Sequence, residues 1–452
     1  MPSRKVVVNL APGALRKTGS GFDLPIAVGV LIATGQVDPR FAQGRLLAGE
    51  LSLEGEVRPV AGLLAYALCA RDIGCDLLCA EAPEGLVRVE GVKRLSIRSL
   101  SEFRRGEFPP ASTATPAPAP ALVDFRDIAG HEMAKRALQI AAAGGHGVIM
   151  VGPPGSGKTM LASRLPSILP PLSEDEALQT ALVHSVAGED PAPALAGVRP
   201  FRSPHHTASA AGLIGGGSPL RPGEISMAHN GVLFLDELPE FRPSVLQSMR
   251  QPLESGRVVI TRADGNVVFP ARFTLVAAAN PCPCGYFGDP ERACSCTIPQ
   301  MRSYQARVGG PLMDRIDVRI DVRRIPPGEV LGTGGGTSSA ALREGVLRAR
   351  EYASWRRAVD ADEWGASDAG DAEAGDAGAR RETAALVRSC RLSADDEAFY
   401  EDVARGNRMS GRAIMRTLAV ARTVADMEEA RAVGRRHLCE ALAFRLRDGE
   451  DA

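Results

Sequence analysis

The chain is poor in aromatic residues: Phe, Trp and Tyr together make up 4% of its 452 residues. It has no apolar run approaching the ~18 residues of a membrane span, and its opening MPSRKVVVNL does not read as a signal peptide. Those absences lead us to expect a cytoplasmic protein with no membrane partner, in a compartment where thiols stay reduced. Nine cysteines are therefore weak evidence for disulfides. Cys69, Cys75, Cys79, Cys390 and Cys439 are scattered and read as small buried side chains. Neither sign of charge dominates. The formal net charge is −1, but residues 360–377 carry seven acids and no base, which leaves +6 for the rest. That excess permits a polyanionic partner without requiring one, since a solvated surface gives the same sum.

At this length a single core is not expected. The tract PPASTATPAPAP has no core-forming residues and reads as a linker, 109–121, after an N-terminal unit, 1–108. A Gly-rich and acidic stretch, 331–380, reads as a flexible insertion between a central unit, 122–330, and a C-terminal unit, 381–450. The N-terminal unit mixes β-rich runs (KVVVNL, RLLAGELSLEGEV, DLLCA) with helical ones, as an α/β domain does. The central unit repeats apolar strand, turn and helix, which predicts a parallel sheet flanked by helices. The C-terminal unit has helical periodicity, as in SGRAIMRTLAVARTVADMEEA.

The segment GPPGSGKT fits the phosphate-loop pattern, and it follows the apolar run GVIMV and precedes a helical pattern. Gly152, Pro153, Pro154, Gly155, Ser156 and Gly157 would turn the backbone so that its N–H groups face phosphate oxygens. Lys158 would hold the β/γ-phosphates and Thr159 would ligate Mg²⁺. VLFLDE is a buried strand that ends in two acids. Asp236 would hold Mg²⁺ through water and Glu237 would polarise the attacking water; a solvated strand end is the bland alternative. FTLVAAAN supplies a further strand, whose Asn280 can order that water. In GPLMDRIDV, Arg315 is either an arginine finger for a neighbour's γ-phosphate or one half of a local pair with Asp314 or Asp317. In SGR, Arg412 either closes on the phosphates from a helical lid or is an exposed helix arginine.

This order of motifs resembles an AAA+ ATPase across 122–445. The longer stretches RPFRSPHHTASAAGLIGGGSPLRPGEISMAHNGVLFLDELPEF, LESGRVVITRADGNVVFPARFTLVAAANPCPCGYFGDPERACSC and GPLMDRIDVRIDV resemble the YifB/ComM family of magnesium-chelatase-like AAA+ proteins, from about residue 5 to 445. The resemblance implies ATP and Mg²⁺ as cofactors and a hexameric ring. It also implies DNA as partner, branch migration during natural transformation, and the roles given above for Lys158, Thr159, Asp236, Glu237, Asn280, Arg315 and Arg412. Other recombination proteins are further expected partners. Residues 205–230 would project as a glycine-rich loop. GRVVITRADGNVVF reads as a hairpin with a D-G turn, and its Arg257 and Arg262 would either line a ring pore and track a phosphate backbone or be ordinary surface charges. His205 and His206 can hydrogen-bond the base of the insert, touch nucleic acid or ligate metal. The first is the expected reading, because adjacent histidines rarely face one ion.

Four cysteines follow Asn280 in a C-x-C, nine residues, C-x-C array: Cys282, Cys284, Cys294 and Cys296. They are either reduced loop thiols or a structural Zn²⁺ knuckle, and the second is the expectation. Such a knuckle would stiffen the loop between Asn280 and the arginine segment. The N-terminal unit is similar to the Lon protease domain, whose serine lies in G-P-S-A-G and whose lysine lies in G-G-L-K. Here those regions read GSGFDLP and AGLLA, Leu64 stands at the lysine, and the nearby Lys17 and Ser20 do not fit. Leucine cannot replace an amine base, so a scaffold is expected instead of a protease. The resemblance further implies residues ahead of VVVNLAP, so either a truncated N-terminal domain with an exposed sheet edge or a short gene model is expected. Three rival classes remain: a magnesium-chelatase-type motor, which the cysteines and the Lon-like unit disfavour; a protein-remodelling motor, disfavoured because 205–230 has no Phe, Trp or Tyr; and a non-enzymatic DNA-binding scaffold.

Overall fold

A computed structural model describes residues 6–10, 20–81, 89–112, 123–217, 220–262, 265–307, 310–313, 315–330, 336–364 and 376–445. Lys17, Asp314, the hairpin's D-G turn and residues 365–375 of the acidic segment lie outside them. In the N-terminal unit, Arg45–Ala48, Asp76–Cys79 and Arg94–Ser96 form a parallel three-stranded sheet with Asp76–Cys79 at its centre. Parallel neighbours need a crossover, and helix Leu63–Asp72 supplies one. Leu24, Val28, Leu78, Ile97 and Phe103 fill the core below. Two expectations need correction. Residues 6–10 form no strand. Pro109 and Ala111 belong to the sheet, not to the linker: Ser96 N donates to Pro109 O at 2.7 Å and Ala111 N to Arg94 O at 2.9 Å. Proline is tolerated there because the segment is an edge.

The central unit is built on five parallel strands: β1 (Val148–Val151), β2 (Phe201–Arg202), β3 (Gly231–Leu235), β4 (Phe273–Ala279) and β5 (Val318–Asp321). Their spatial order is β5-β1-β4-β3-β2. Continuous apolar runs fit a sheet covered on both faces. Val148, Met150, Phe234 and Val276 enter one core, and Ile149, Val151, Leu233 and Leu275 enter the other. The first core is closed by α1 (Glu132–Gly144), α2 (Lys158–Ile168) and the C-terminal helices. α3 (Glu174–Ala187) packs in a separate cluster with Leu64 and Leu172, and α4 (Ile298–Arg307) lies against Leu238–Glu240 by the second core. α3 opens with a capping box between Ser173 and Glu176.

Residues 205–230 do not form a projecting loop. They fold into helix Ala210–Ile214, a two-residue antiparallel pairing and helix Glu224–Met227, because Leu213, Ile225 and Ala228 are apolar enough to enter the second core. The hairpin Arg257–Arg262/Gly265–Pro270 pairs as expected.

The insertion expected over 331–380 is also corrected. Most of it is α5 (Ser339–Trp364), a 26-residue helix. Leu342, Val346 and Ala349 bury at helical spacing, and Arg356 is held by Asp426 at 2.8 Å and Asp360 at 3.3 Å. α6 (Asp376–Cys390), α7 (Ala394–Gly406), α8 (Gly411–Met427) and α9 (Arg435–Ala443) complete the lid. Among the described residues no helix is long and apolar enough to cross a membrane.

The N-terminal unit docks on α3. Gly62 N donates to Ser185 O at 2.8 Å and Leu64 N to Ser185 Oγ at 3.3 Å. Leu64 is buried among Leu172, Ala177, Ala181 and Ala194.

Candidate nucleotide site

The carboxyl ends of β1, β3 and β4 run straight into the phosphate loop, the acid pair and Asn280, so a parallel sheet brings them to one edge. Gly155 and Gly157 have φ of 77° and 89°, a region that favours glycine. A side chain on Gly152 would strike the Val322 carbonyl. α2 begins at Lys158, so its N-terminus faces the loop.

Lys158 Nζ donates to Gly152 O at 2.8 Å, Pro153 O at 2.9 Å and Asn280 Oδ1 at 3.3 Å. Burial lowers its pKa, while Asp236 and Glu237 act upward. Thr159 Oγ1 donates to Asp236 Oδ2 at 2.8 Å, and Glu237 N donates to Asp236 Oδ1 at 2.9 Å. Ser156 Oγ is buried without a hydrogen-bond partner. A ring of backbone turned toward one point, an orphan hydroxyl, one ammonium and a hydroxyl–carboxylate pair fit a nucleotide triphosphate with Mg²⁺.

Directly beyond Asn280, the four cysteine sulfurs all lie within 4.8 Å of one another. Cys282, Cys284 and Cys294 are mutually 3.4–3.6 Å apart.

Comparison with known proteins covers nearly the whole chain. Family models described as "Magnesium chelatase, subunit ChlI", "Subunit ChlI of Mg-chelatase" and "Magnesium chelatase, subunit ChlI C-terminal" match residues 124–330, 1–82 and 336–445. "Uncharacterized protein YifB" of Salmonella typhimurium is 40% identical over 99% of this chain and 86% of the relative. Its Escherichia coli namesake is 38% identical with the same coverage. "Competence protein ComM" of Haemophilus influenzae is 39% identical over 98% of this chain and 86% of the relative. The chain belongs to the YifB/ComM magnesium-chelatase-like family. The YifB/ComM central unit is an AAA+ ATPase core, and ATP with Mg²⁺ is the pair its family implies.

In this YifB/ComM chain the two arginines stand elsewhere. Arg315 lies just ahead of β5, at the amino end of the sheet, where Gly147 N donates to Asp317 Oδ2 at 3.2 Å. Five residue steps, from Gly147 along β1 to Gly152, separate the two levels, roughly 16 Å of extended chain. Arg315 pairs with Glu254. Burial, and then the charges of Arg412, Arg416 and Arg250, lower its pKa.

Arg412 is therefore a neighbour of Arg315, and the expectation that it closes on this chain's own phosphates is corrected. The reason lies in the lid: Ser410 caps α8, and Arg416 Nη1 binds Arg315 O at 2.9 Å and pairs with Asp317. Those contacts seat the first turns of α8 at the amino end of the sheet.

Sequence reasoning named the histidine pair as hydrogen-bonding groups but not the acid that one of them meets: His205 Nδ1 lies 2.8 Å from Thr207 Oγ1 and His206 Nδ1 lies 3.2 Å from Glu237 Oε2. It missed two further fastenings. Asp317 and Arg416 join core to lid. Arg324 reaches Pro154 O at 3.4 Å.

Proposed function

We propose that this chain hydrolyses ATP at interfaces between copies of itself in a ring, hexameric by the family resemblance, and that the ring moves DNA in branch migration. One observation carries the reading. The groups that grip the triphosphate and those suited to stabilise its cleavage lie at opposite ends of one sheet, so neither Arg315 nor Arg412 serves its own phosphate loop. In an assembled ring both would present to the γ-phosphate of the next copy and offset its developing charge, as an arginine finger does.

Within one copy, Lys158 leaves its carbonyls and Asn280 for the phosphates, and Asn280 is freed to orient water. Glu237 accepts that water's proton once it leaves His206. Thr159 and Asp236 would hold Mg²⁺, which would supply positive charge to offset the phosphate oxygens. Cys282, Cys284, Cys294 and Cys296 would hold Zn²⁺ as a structural ion, since tetrahedral sites with Zn–S of ~2.3 Å have S···S edges of about 3.8 Å, close to the spacing of these sulfurs.

DNA as substrate draws support from the competence protein among the relatives. Arg257 lies at the base of the hairpin, and the side chain of Arg262 lies outside the described residues. The test is ATPase turnover with no DNA, with single strands and with branched DNA, against Lys158→Ala. We expect stimulation by branched DNA and a loss of at least about a hundredfold in the variant. Turnover that is indifferent to every DNA would leave an ATPase and favour the metal-insertion motor that the three family descriptions suggest.

A further inference from the structure

We propose that the four-cysteine knuckle is a metal-set clamp on the phosphate loop, so that Zn²⁺ bound there governs nucleotide affinity at a site the metal does not touch. The inference rests on the zinc reading above.

The first observation is that the knuckle has nothing else to hold its shape. No helix or strand forms between Asn280 and Ile298. Phe287 and Ile298, its large apolar side chains, are exposed, so it has no apolar core of its own. Its order resides in the sulfurs. Cys284 N donates to Cys296 Sγ at 3.3 Å, Cys296 N to Cys294 Sγ at 3.4 Å and Phe287 N to Cys282 Sγ at 3.3 Å. Backbone donors on sulfur stabilise thiolates, and four thiolates this close repel unless a cation lies among them.

The second observation is where the knuckle leans. Gly285 (φ 84°) turns against the phosphate loop so closely that a β-carbon there would meet Pro154 Cδ at 2.6 Å and Asn280 Cγ at 3.8 Å. The next residue, Tyr286, carries the guanidinium of Arg292 at 4.0 Å from its ring centre and that of Arg324 at 5.5 Å. Arg324 also pairs with Asp289 and Glu291, each at 3.7 Å, and donates to Pro154 O. It thus ties the knuckle to the phosphate loop from the end of β5. Cys282 lies two residues beyond Asn280, which holds Lys158. The knuckle therefore touches the loop at Pro154 and reaches its lysine through Asn280. With the metal gone, all three supports loosen together and the loop must order itself on binding, at a cost in affinity.

The test uses the full chain. Zinc per chain is measured in protein purified without chelator. Affinity for a fluorescent ADP analogue in Mg²⁺ buffer is then compared for this protein, for protein stripped of zinc and dialysed, and for stripped protein given Zn²⁺ alone. We expect about one zinc, a weakening of about tenfold on stripping and recovery with Zn²⁺. Gly285→Ala, which intrudes on Pro154 without touching a ligand, is expected to keep its zinc and weaken binding by a similar factor. Arg324→Ala guards against a folding defect in Gly285→Ala; it is expected to keep its zinc and weaken binding about fivefold, the worth of one hydrogen bond. Zinc present but affinity unchanged on stripping would overturn the clamp and leave the zinc reading standing. Protein that neither contains nor takes up zinc would overturn both.

Discussion

Glu237 stands in the left-handed backbone region, with φ 51° and ψ 45°, a conformation that costs an L-residue roughly 1–2 kcal/mol. Its N–H is fixed by Asp236 and its carboxylate by His206. Strain and restraint at the residue proposed to meet water fit a group parked until nucleotide arrives. Removing the histidine unparks it. His206→Ala should raise DNA-independent turnover about two- to fivefold, since exposed pairs hold 0.2–1 kcal/mol, with nucleotide affinity unchanged. Steady-state turnover and equilibrium binding on the same protein check this.

A second histidine governs stability. His229 is buried between α3 and β4, accepts from Arg272 N at 3.0 Å and has its pKa pushed down to about 4, by burial first and by Arg272 second. The folded chain thus keeps it neutral where the unfolded chain protonates it. Stability is whole above the ordinary histidine value of ~6.5 and declines as pH falls from there toward about 4, by something on the order of 3 kcal/mol. Melting scans from pH 7.5 to 4.5 should show this decline, reduced in His229→Gln.

At this scale the phosphate loop and acid pair were legible in the sequence, because local spacing defines them. The pairing of His206 with Glu237 was not, because it depends on two strand ends arriving at the same edge.

Among the elements, α8 and β5 share one fastening. Asp317 takes Gly147 N, His146 Nδ1 at 3.3 Å and the Arg416 guanidinium. His146 Nε2 in turn meets Thr423 Oγ1 on α8 at 2.8 Å. Burial acts upward on the Asp317 pKa, but His146 and Arg416 outweigh it and the net direction is down. Asp317→Asn keeps the shape and removes the charge that seats α8. It should lower the melting temperature and cut turnover about tenfold, while nucleotide affinity stays the same because the phosphate loop is at the sheet's other end. A melting curve with a kcat-against-affinity comparison tests it; equal loss of both would refute a role confined to the arginines.

The elements also show where reading by composition fails. The acidic run beginning at Asp360 drew attention from ALREGVLRAREYASWRRAV, whose helical face is plain once Leu342, Val346 and Ala349 are seen to bury together. The glycines near 215–217 likewise hid the short helices on either side. Arg412 was misplaced because a helix's own periodicity does not say which end of a sheet its first turn meets.

For the whole molecule, the N-terminal unit is bonded to the ATPase core through Ser185 and Leu64. A lysine at Leu64 would put an amine into an apolar joint, so leucine there serves the docking. The separation of triphosphate grip from Arg315 and Arg412 leads to a complementation experiment. Lys158→Ala and Arg315→Ala should each be inactive alone. Mixed in equal amounts, they should regain turnover from the about one quarter of random contacts that pair two intact halves. Continued silence after subunit exchange would argue for chemistry confined to single chains.

The distance along β1 has a last consequence, for how such a protein behaves in a tube. If cleavage is shared between copies as proposed, a solitary chain can load its fuel but has no spark within reach, so specific activity should collapse on dilution well before the fold is lost, and each chain lacking Arg315 should silence one neighbour.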